Sequence, residues 1–224
     1  MIESKTSMKK NELIERPVCR EEYLGDYDSP LRFLSYLEQI NYIKKIKPKK
    51  LLEIGVGNRL VLNYAKELGI DTSGLDKNED LVPDIVADVR KMPLKSESFD
   101  MISICEVLEH MPFEDFERTL RELHRVSSKY VLISLPYASI VFDVMYKFPL
   151  IRTLTKRQFF EFYIRIPVFW KRHKFDKKHY WEMGKKGYPI NKIRRIVRKY
   201  FVIRKESSPP MHKYHYFFLL EKRT

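Results

Sequence analysis

Near the middle of the chain, Glu106, Glu109 and His110 stand in the order E-x-x-E-H. Carboxylates beside an imidazole can take up and release a proton, and His110 is the best base candidate because an unperturbed imidazole titrates near neutrality. A His before Pro112 can equally cap or pack a turn, so both uses stay open. Upstream, Glu53-Ile54-Gly55-Val56-Gly57-Asn58-Arg59 closes a short apolar run with G-x-G. Glycines let the backbone turn sharply and approach a ligand closely. Asp76, 19 positions beyond Gly57, ends the next such run and can accept hydrogen bonds from ribose hydroxyls. Asp88-Val89 offers a carboxylate and a backbone N–H beside an apolar side chain, a pairing that suits an adenine edge. A lone G-x-G is an ordinary strand–helix turn, but four signals at the ends of successive strands point to a ligand site.

These groups meet only if the strands carrying them lie in one sheet with their carboxyl ends together. LLEI (51–54), DTSGLD (71–76), DIVADV (84–89), FDMISIC (99–105) and YVLISLP (130–136) read as strands. A helix over 30–46 opens on Ser29 as N-cap with Pro30 at the first helical position. Leu60, Val61, Tyr64, Ala65 and Leu68 form a second helix stopped by Gly69. Phe113, Phe116, Leu120 and Leu123 make a third behind Pro112, and Ile190, Ile193, Ile196, Val197 and Tyr200 a fourth. FVIRK (201–205) and KYHYFFLLE (213–221) add two strands, and the SSPP between them predicts an antiparallel edge hairpin. The expected fold is α/β, a doubly wound, mostly parallel seven-stranded sheet with an antiparallel C-terminal hairpin. One domain is expected: arm and helix (1–46), core (47–136), a helical basic-aromatic insert (137–188), and a final helix and hairpin (189–224).

At 224 residues the chain can bury one good core. It carries 43 Lys+Arg against 30 Asp+Glu, a net charge of +13. Residues 1–140 hold 21 basic and 24 acidic side chains, whereas residues 141–224 hold 22 and 6. An excess confined to the last third points to an anionic partner there. With 44% hydrophobic residues the chain is neither disordered nor collagen-like. Its two cysteines, Cys19 and Cys105, exclude a disulfide framework and fit a reducing compartment. The opening MIESKTSMKKNELIERP has no apolar run, so no secretory leader is expected. The longest apolar stretch, 130–151, contains Asp143, Lys147 and two prolines, which argues against a spanning helix. A cytoplasmic location is expected, with the inner face of a membrane as the alternative.

LLEIGVGN, GLD at 74–76, ADVRKMPLKSESFDMI at 87–102 and CEVLEHM at 105–111 together resemble the class I S-adenosylmethionine-dependent methyltransferases. The closest likeness is to their broad small-molecule branch of ubiquinone-type O-methyltransferases. The resemblance spans about residues 45–136 and implies a Rossmann-like fold with S-adenosylmethionine as cofactor. It also implies roles. Glu53 would orient the glycine loop and the cofactor's amino end, with Gly55, Val56, Gly57 and Asn58 along its methionine portion. Asp76 would hold the ribose, Asp88 would accept from the adenine amine with Val89 packed nearby, and Cys105 and Glu106 would floor the methyl group. A nicotinamide dehydrogenase shares G-x-G and Asp76 but has no place for CEVLEH. Arg59 stands where the family usually has a third glycine. Its cation is unfavourable at a helix N-terminus, so it is expected either to pair with the cofactor's carboxylate or to face solvent. Glu109 and His110 are the catalytic candidates for taking a proton from the acceptor. The same E-x-x-E-H resembles the metal-binding arm of small-RNA 2′-O-methyltransferases and of some quinone O-methyltransferases. A divalent ion would then need a further ligand from His173 or His179, and it ranks behind the metal-free reading.

In the insert, aromatics such as Phe142, Tyr146, Phe162, Phe169 and Trp170 alternate with Lys147, Arg152, Lys156, Arg157, Arg165, Lys171, Arg172 and Lys174. Aromatics among cations can stack on bases, lie in a lipid interface or line a pocket for an acid. In the plainest case they are the insert's own core with solvated cations. The expected partner is a small or amphiphilic anionic acceptor methylated on oxygen, with peripheral membrane contact through the insert as a further possibility. An RNA acceptor ranks lower because no RNA-module signature is present. A non-catalytic scaffold that binds S-adenosylmethionine is the alternative from outside the enzymes.

Overall fold

A computed structural model describes residues 23–149, 153, 155, 158–175 and 178–223. Most of the arm, Cys19, and Arg152, Lys156 and Arg157 of the insert lie outside them. Helix α1 (Pro30–Ile46) begins where Ser29 Oγ accepts from the Arg32 N–H and ends at Lys47 in the left-handed region. Strand β1 (Lys50–Ile54) and helix α2 (Leu60–Glu67) follow, then β2 (Asp71–Asp76), β3 (Ile85–Val86) and β4 (Phe99–Cys105). Helix α3 (Phe116–Val126) leads into β5 (Ser127–Pro136). The chain then makes β6 (Ser139–Tyr146) and β7 (Phe160–Pro167), and closes with α4 (Ile190–Val197), β8 (Phe201–Ser207) and β9 (His215–Lys222).

The main sheet has seven strands in the order β3-β2-β1-β4-β5-β9-β8. The first five run parallel, while β9 lies antiparallel between β5 and β8. Period-two alternation supplies both faces. Leu51, Met101, Leu132, Phe217 and Leu219 pack under α1 and α2 with Ile43, Val61 and Ala65. Leu52, Ile102, Val131, Ile133, Phe218 and Leu220 face the other side, with Leu120, Leu123 and Ile193 of α3 and α4. Strands covered on both faces have no solvent side, which is why LLEI and VLISL are apolar but for the buried Glu53 and Ser134.

The seven-stranded sheet and its edge hairpin are as the sequence predicts. Two differences lie near the strand ends that carry the candidate residues. Within 84–89 only Ile85–Val86 pair as strand; Asp88 turns back onto the Arg90 backbone N–H at 2.8 Å. Phe113–Asp115 form a tighter single turn before α3 proper. The helical insert is the larger correction. Thr153 and Thr155 are helical, but the insert's arms, β6 and β7, pair antiparallel as a separate two-stranded ribbon. Ile140, Val141 and Val144 are β-branched and favour the pleated backbone over a helix. Among the described residues no helix is long and apolar enough to cross a membrane.

Candidate active site

The site gathers at the carboxyl ends of β1, β4 and β5. Gly55 and Gly57 both take positive φ, 80° and 46°. A Cβ on Gly55 would sit 2.4 Å from a Val107 methyl, and one on Gly57 3.3 Å from the Tyr23 ring. The glycine loop is therefore pressed between the β4 turn and residue 23. A cavity opens beside it, lined by Glu53, Gly55, Val56, Gly57, Asn58, Cys105, Glu106 and Val107 from the loops, and by Tyr27, Arg32, Ser35 and His215 from elsewhere. Asp28 accepts from Asn58 Nδ2 at 2.6 Å and from Tyr36 Oη at 2.7 Å, tying the segment before α1 to the loop.

Glu53 is 7% exposed, and its Oε2 has no hydrogen-bond partner. Burial pushes its carboxyl up to about 8, although the Arg59 charge and the Leu62 N–H pull the other way. Asp76 accepts from the Val56 N–H at 3.1 Å and the Asn78 N–H at 2.9 Å, so it holds the same loop from β2. Desolvation raises it despite those bonds. Asp88 is bound bidentately by Arg90, which also reaches Asp115, and hydrogen bonds from Arg90 hold its carboxyl below the usual range. Val89 is buried in the core. The Arg59 guanidinium donates to the Val82 carbonyl and pairs with Asp84 at 3.6 Å. It does not line the cavity; Asp84 offsets the cation at the start of α2.

Glu106, at φ 54°, turns the chain out of β4. Its Oε1 accepts from Ser134 Oγ at 2.7 Å and its Oε2 lies 3.3 Å from His215 Nε2. The other ring nitrogen of His215 meets Ser35 Oγ at 2.6 Å. Burial raises Glu106 to about 7 and drives His215 well down, so at neutral pH the imidazole favours its uncharged form while the Glu106 carboxyl stands close to its titration midpoint. Burial likewise lifts the Cys105 thiol to about 12, which makes it a poor nucleophile.

Glu109 is fully buried with both carboxyl oxygens lacking a hydrogen-bond partner. Burial first, and the Glu106 charge second, raise it well above the ordinary range. His110 Nε2 stands 3.9 Å from it, and the His110 and His179 rings meet edge-on at 5.0 Å. Ligand atoms of Glu109, His110 and His179 lie within 4.8 Å of one another. The insert delivers His179 because the Tyr180 N–H donates to the Glu109 carbonyl and the buried Trp181 donates to the Met111 carbonyl. His179 in turn meets Glu182 at 3.2 Å. Burial works against the Glu182 charge, but bonds from His179 and Lys185 outweigh it and bring the carboxyl to about 2. His173 stands off from this cluster, its nitrogens at the His179 carbonyl and at Lys185.

Residues 52–135 match the family model described as a methyltransferase domain. That segment is a methyltransferase domain. No curated protein sequence matches it. In fold the chain is similar to a Burkholderia thailandensis 1,6-didemethyltoxoflavin-N1-methyltransferase with bound 1,6-didemethyltoxoflavin and S-adenosylhomocysteine (12% identity, TM-score 0.62, covering 91% of this chain and 85% of that one). It is also similar to a magnesium protoporphyrin IX methyltransferase from Synechocystis with bound S-adenosylmethionine (14%, TM-score 0.55, 91% and 89%). A third is an S-adenosylmethionine-dependent methyltransferase from Archaeoglobus fulgidus (18%, TM-score 0.55, 91% and 97%).

The fold brings Glu53, Gly55, Val56, Gly57, Asn58, Cys105 and Glu106 around one cavity, and Glu109 and His110 one turn beyond Glu106. Tyr27, Arg32, Ser35, Ser134 and His215 escape sequence reasoning. His215 alone left a trace: it takes the same face of β9 as Phe217 and Leu219, a polar interruption in an apolar series.

Proposed function

We propose that this enzyme transfers the methyl group of S-adenosylmethionine to an oxygen of a small, anionic or amphiphilic acceptor held between the glycine loop and the insert. What carries the reading is the position of Glu106, Glu109 and His110: Glu106 lines the cavity, while the next turn meets His179 of the insert. S-adenosylmethionine supplies an already activated methyl carbon, so the protein's task is to position the acceptor, exclude water and accept a proton. The orphaned Glu53 Oε2 fits the cofactor's amino group, and the crowded Gly55 and Gly57 leave backbone for its methionine portion. Asp76 takes the ribose hydroxyls, Asp88 and Val89 the adenine, and Cys105 and Glu106 the floor. His110 takes the acceptor's hydroxyl proton as the oxygen lone pair bonds to the methyl carbon; the C–S pair goes to sulfur, leaving S-adenosylhomocysteine. Burial and the neighbouring Glu106 charge push Glu109 toward its neutral form, which lessens repulsion of an anionic acceptor. Arg32, 3.9 Å over the Tyr27 ring, and Lys178, 5.9 Å from it, set cations at the mouth.

One observation favours a second reading of how the acceptor is activated. Glu109, His110 and His179 carry the donor set for a divalent ion, and the unpartnered Glu109 oxygens suit one. Such an ion would acidify the acceptor hydroxyl. The decisive experiment incubates the enzyme and labelled S-adenosylmethionine with fractionated host extract and identifies the labelled product by mass spectrometry, with chelator and with Mg²⁺. Label on a small acid, surviving in chelator and lost in His110→Ala, is expected. Label on RNA, or no thermal shift with S-adenosylhomocysteine, would refute the reading in favour of an RNA enzyme or a scaffold. Activity lost in chelator would establish the metal.

A further inference from the structure

The β6–β7 ribbon wears its alternation inside out. Four cross-strand pairs, from Ile140–Ile166 at the foot to Tyr146–Phe160 toward the tip, place eight apolar side chains on one face. All eight are exposed, Phe142 at 65% and Phe162 at 60%. The opposite face carries the polar groups and is the one fastened down. Glu161 and Asp143 hold the buried Lys213 ammonium, and Arg165 donates to Ser208 Oγ and the Lys213 carbonyl at 2.8 Å each. A register slip by one residue would exchange the faces, so these contacts fix the apolar side outward. Half-buried sheets put their apolar face inward, and an apolar face of this extent calls for an occupant.

Charge identifies the occupant. The described acids of the insert, Asp143, Glu161 and Glu182, are all engaged with lysines of the protein itself. The cations Lys147, Lys171, Arg172 and Lys174 are exposed beside the ribbon. Exposed aromatics flank both ends: Tyr146 stacks with Phe148, and Phe169 with Trp170 edge-on. An apolar plate bordered by cations and amphipathic rings complements an anionic bilayer, which offers acyl chains below a layer of negative headgroups. A second copy of the chain would bring the same cations against themselves. We propose that the outer face of the β6–β7 ribbon docks this enzyme on an anionic lipid surface.

The test is flotation of the full chain with phosphatidylcholine vesicles containing about 30% phosphatidylglycerol, against phosphatidylcholine alone. Wild type is expected to float with the anionic vesicles and to lose part of that binding in high salt. Phe142→Asp/Phe162→Asp should weaken flotation about tenfold or more while keeping the thermal shift with S-adenosylhomocysteine. Phe142→Ser/Phe162→Ser carries the same expectation if the aspartates lower the melting temperature. Lys171→Glu/Lys174→Glu should weaken binding to the anionic vesicles only. The proposal is overturned if wild type does not float, if the apolar-face variants float as well as wild type, or if wild type is a dimer that Phe142→Asp/Phe162→Asp splits without any vesicle binding. Because cofactor binding is read separately, a silent ribbon and a silent methyltransferase site remain distinguishable.

Discussion

Glu53 offers the sharpest test of the cavity beside the glycine loop. Burial raises its carboxyl from 4.5 to about 8. The folded state therefore holds a proton that the unfolded chain releases earlier, and stability must fall as pH climbs through this window, levelling off above it. At 1.36 kcal/mol for each decade of that interval, the loss is roughly 5 kcal/mol. At 7% exposure solvent screens little of it. Glu53→Gln replaces the protonated carboxyl by a neutral amide of the same shape. The variant should match wild type near pH 4.5 and exceed its stability by up to roughly 5 kcal/mol near pH 9. Urea unfolding of both proteins across that range gives the difference curve, and titrations they share, such as those of Glu106 and Glu109, cancel in it. Saturating S-adenosylhomocysteine should flatten the wild-type curve by giving the ionised carboxylate an ammonium partner. Parallel curves for the two ligand-free proteins would mean that Glu53 is not desolvated as the structure has it.

Three further outcomes follow from the same geometry. Trp181→Ala removes a fully buried ring packed on Phe113 and Phe116 and a hydrogen bond to the Met111 carbonyl; urea unfolding should show a loss of about 3–5 kcal/mol. Arg59→Ala should leave S-adenosylhomocysteine affinity within about twofold by calorimetry, since its partners are Asp84 and Val82; a loss of about tenfold, or 1.4 kcal/mol, would reassign the guanidinium to the cofactor. Ser134→Ala deletes the hydrogen bond that lowers Glu106, so the Glu106 titration should move alkaline from about 7; an unmoved midpoint in carboxyl-detected NMR would contradict that.

The strands that bury both faces were legible because their sequences are mostly apolar, broken only by isolated polar residues such as Glu53, Asp100 and Ser103. LLEI and FDMISIC could hardly be anything else. The ribbon was not legible for a physical reason. FEFYIRIP alternates cleanly, but alternation is read as apolar-in, and here the inner positions are Glu161, Tyr163 and Arg165. Its partner SIVFDVMY shows almost no alternation, so neither strand identifies the other. The candidate site divides along the same line. Glu53 lies at the end of β1, and Glu106, Glu109 and His110 directly follow β4 in sequence, whereas Ser35, Ser134 and His215 come from α1, β5 and β9 and meet only through the sheet order. The partner of Arg59 was hidden likewise, because Asp84 lies in the next crossover.

The place of β9 between β5 and β8 also bears on how the molecule comes into being. A chain emerging from the ribosome can assemble β1 to β5 with their helices while the outer edge of β5 still has no neighbour. That edge, including Ile133, Ser134 and Leu135, stays open to other strands until residues 215–222 arrive and insert. His215 arrives with them and completes the partnership with Glu106 and Ser35. The same late insertion seals the sheet and completes the Glu106–His215–Ser35 wall of the cavity, so a partly synthesised molecule has neither a protected edge nor a finished cavity.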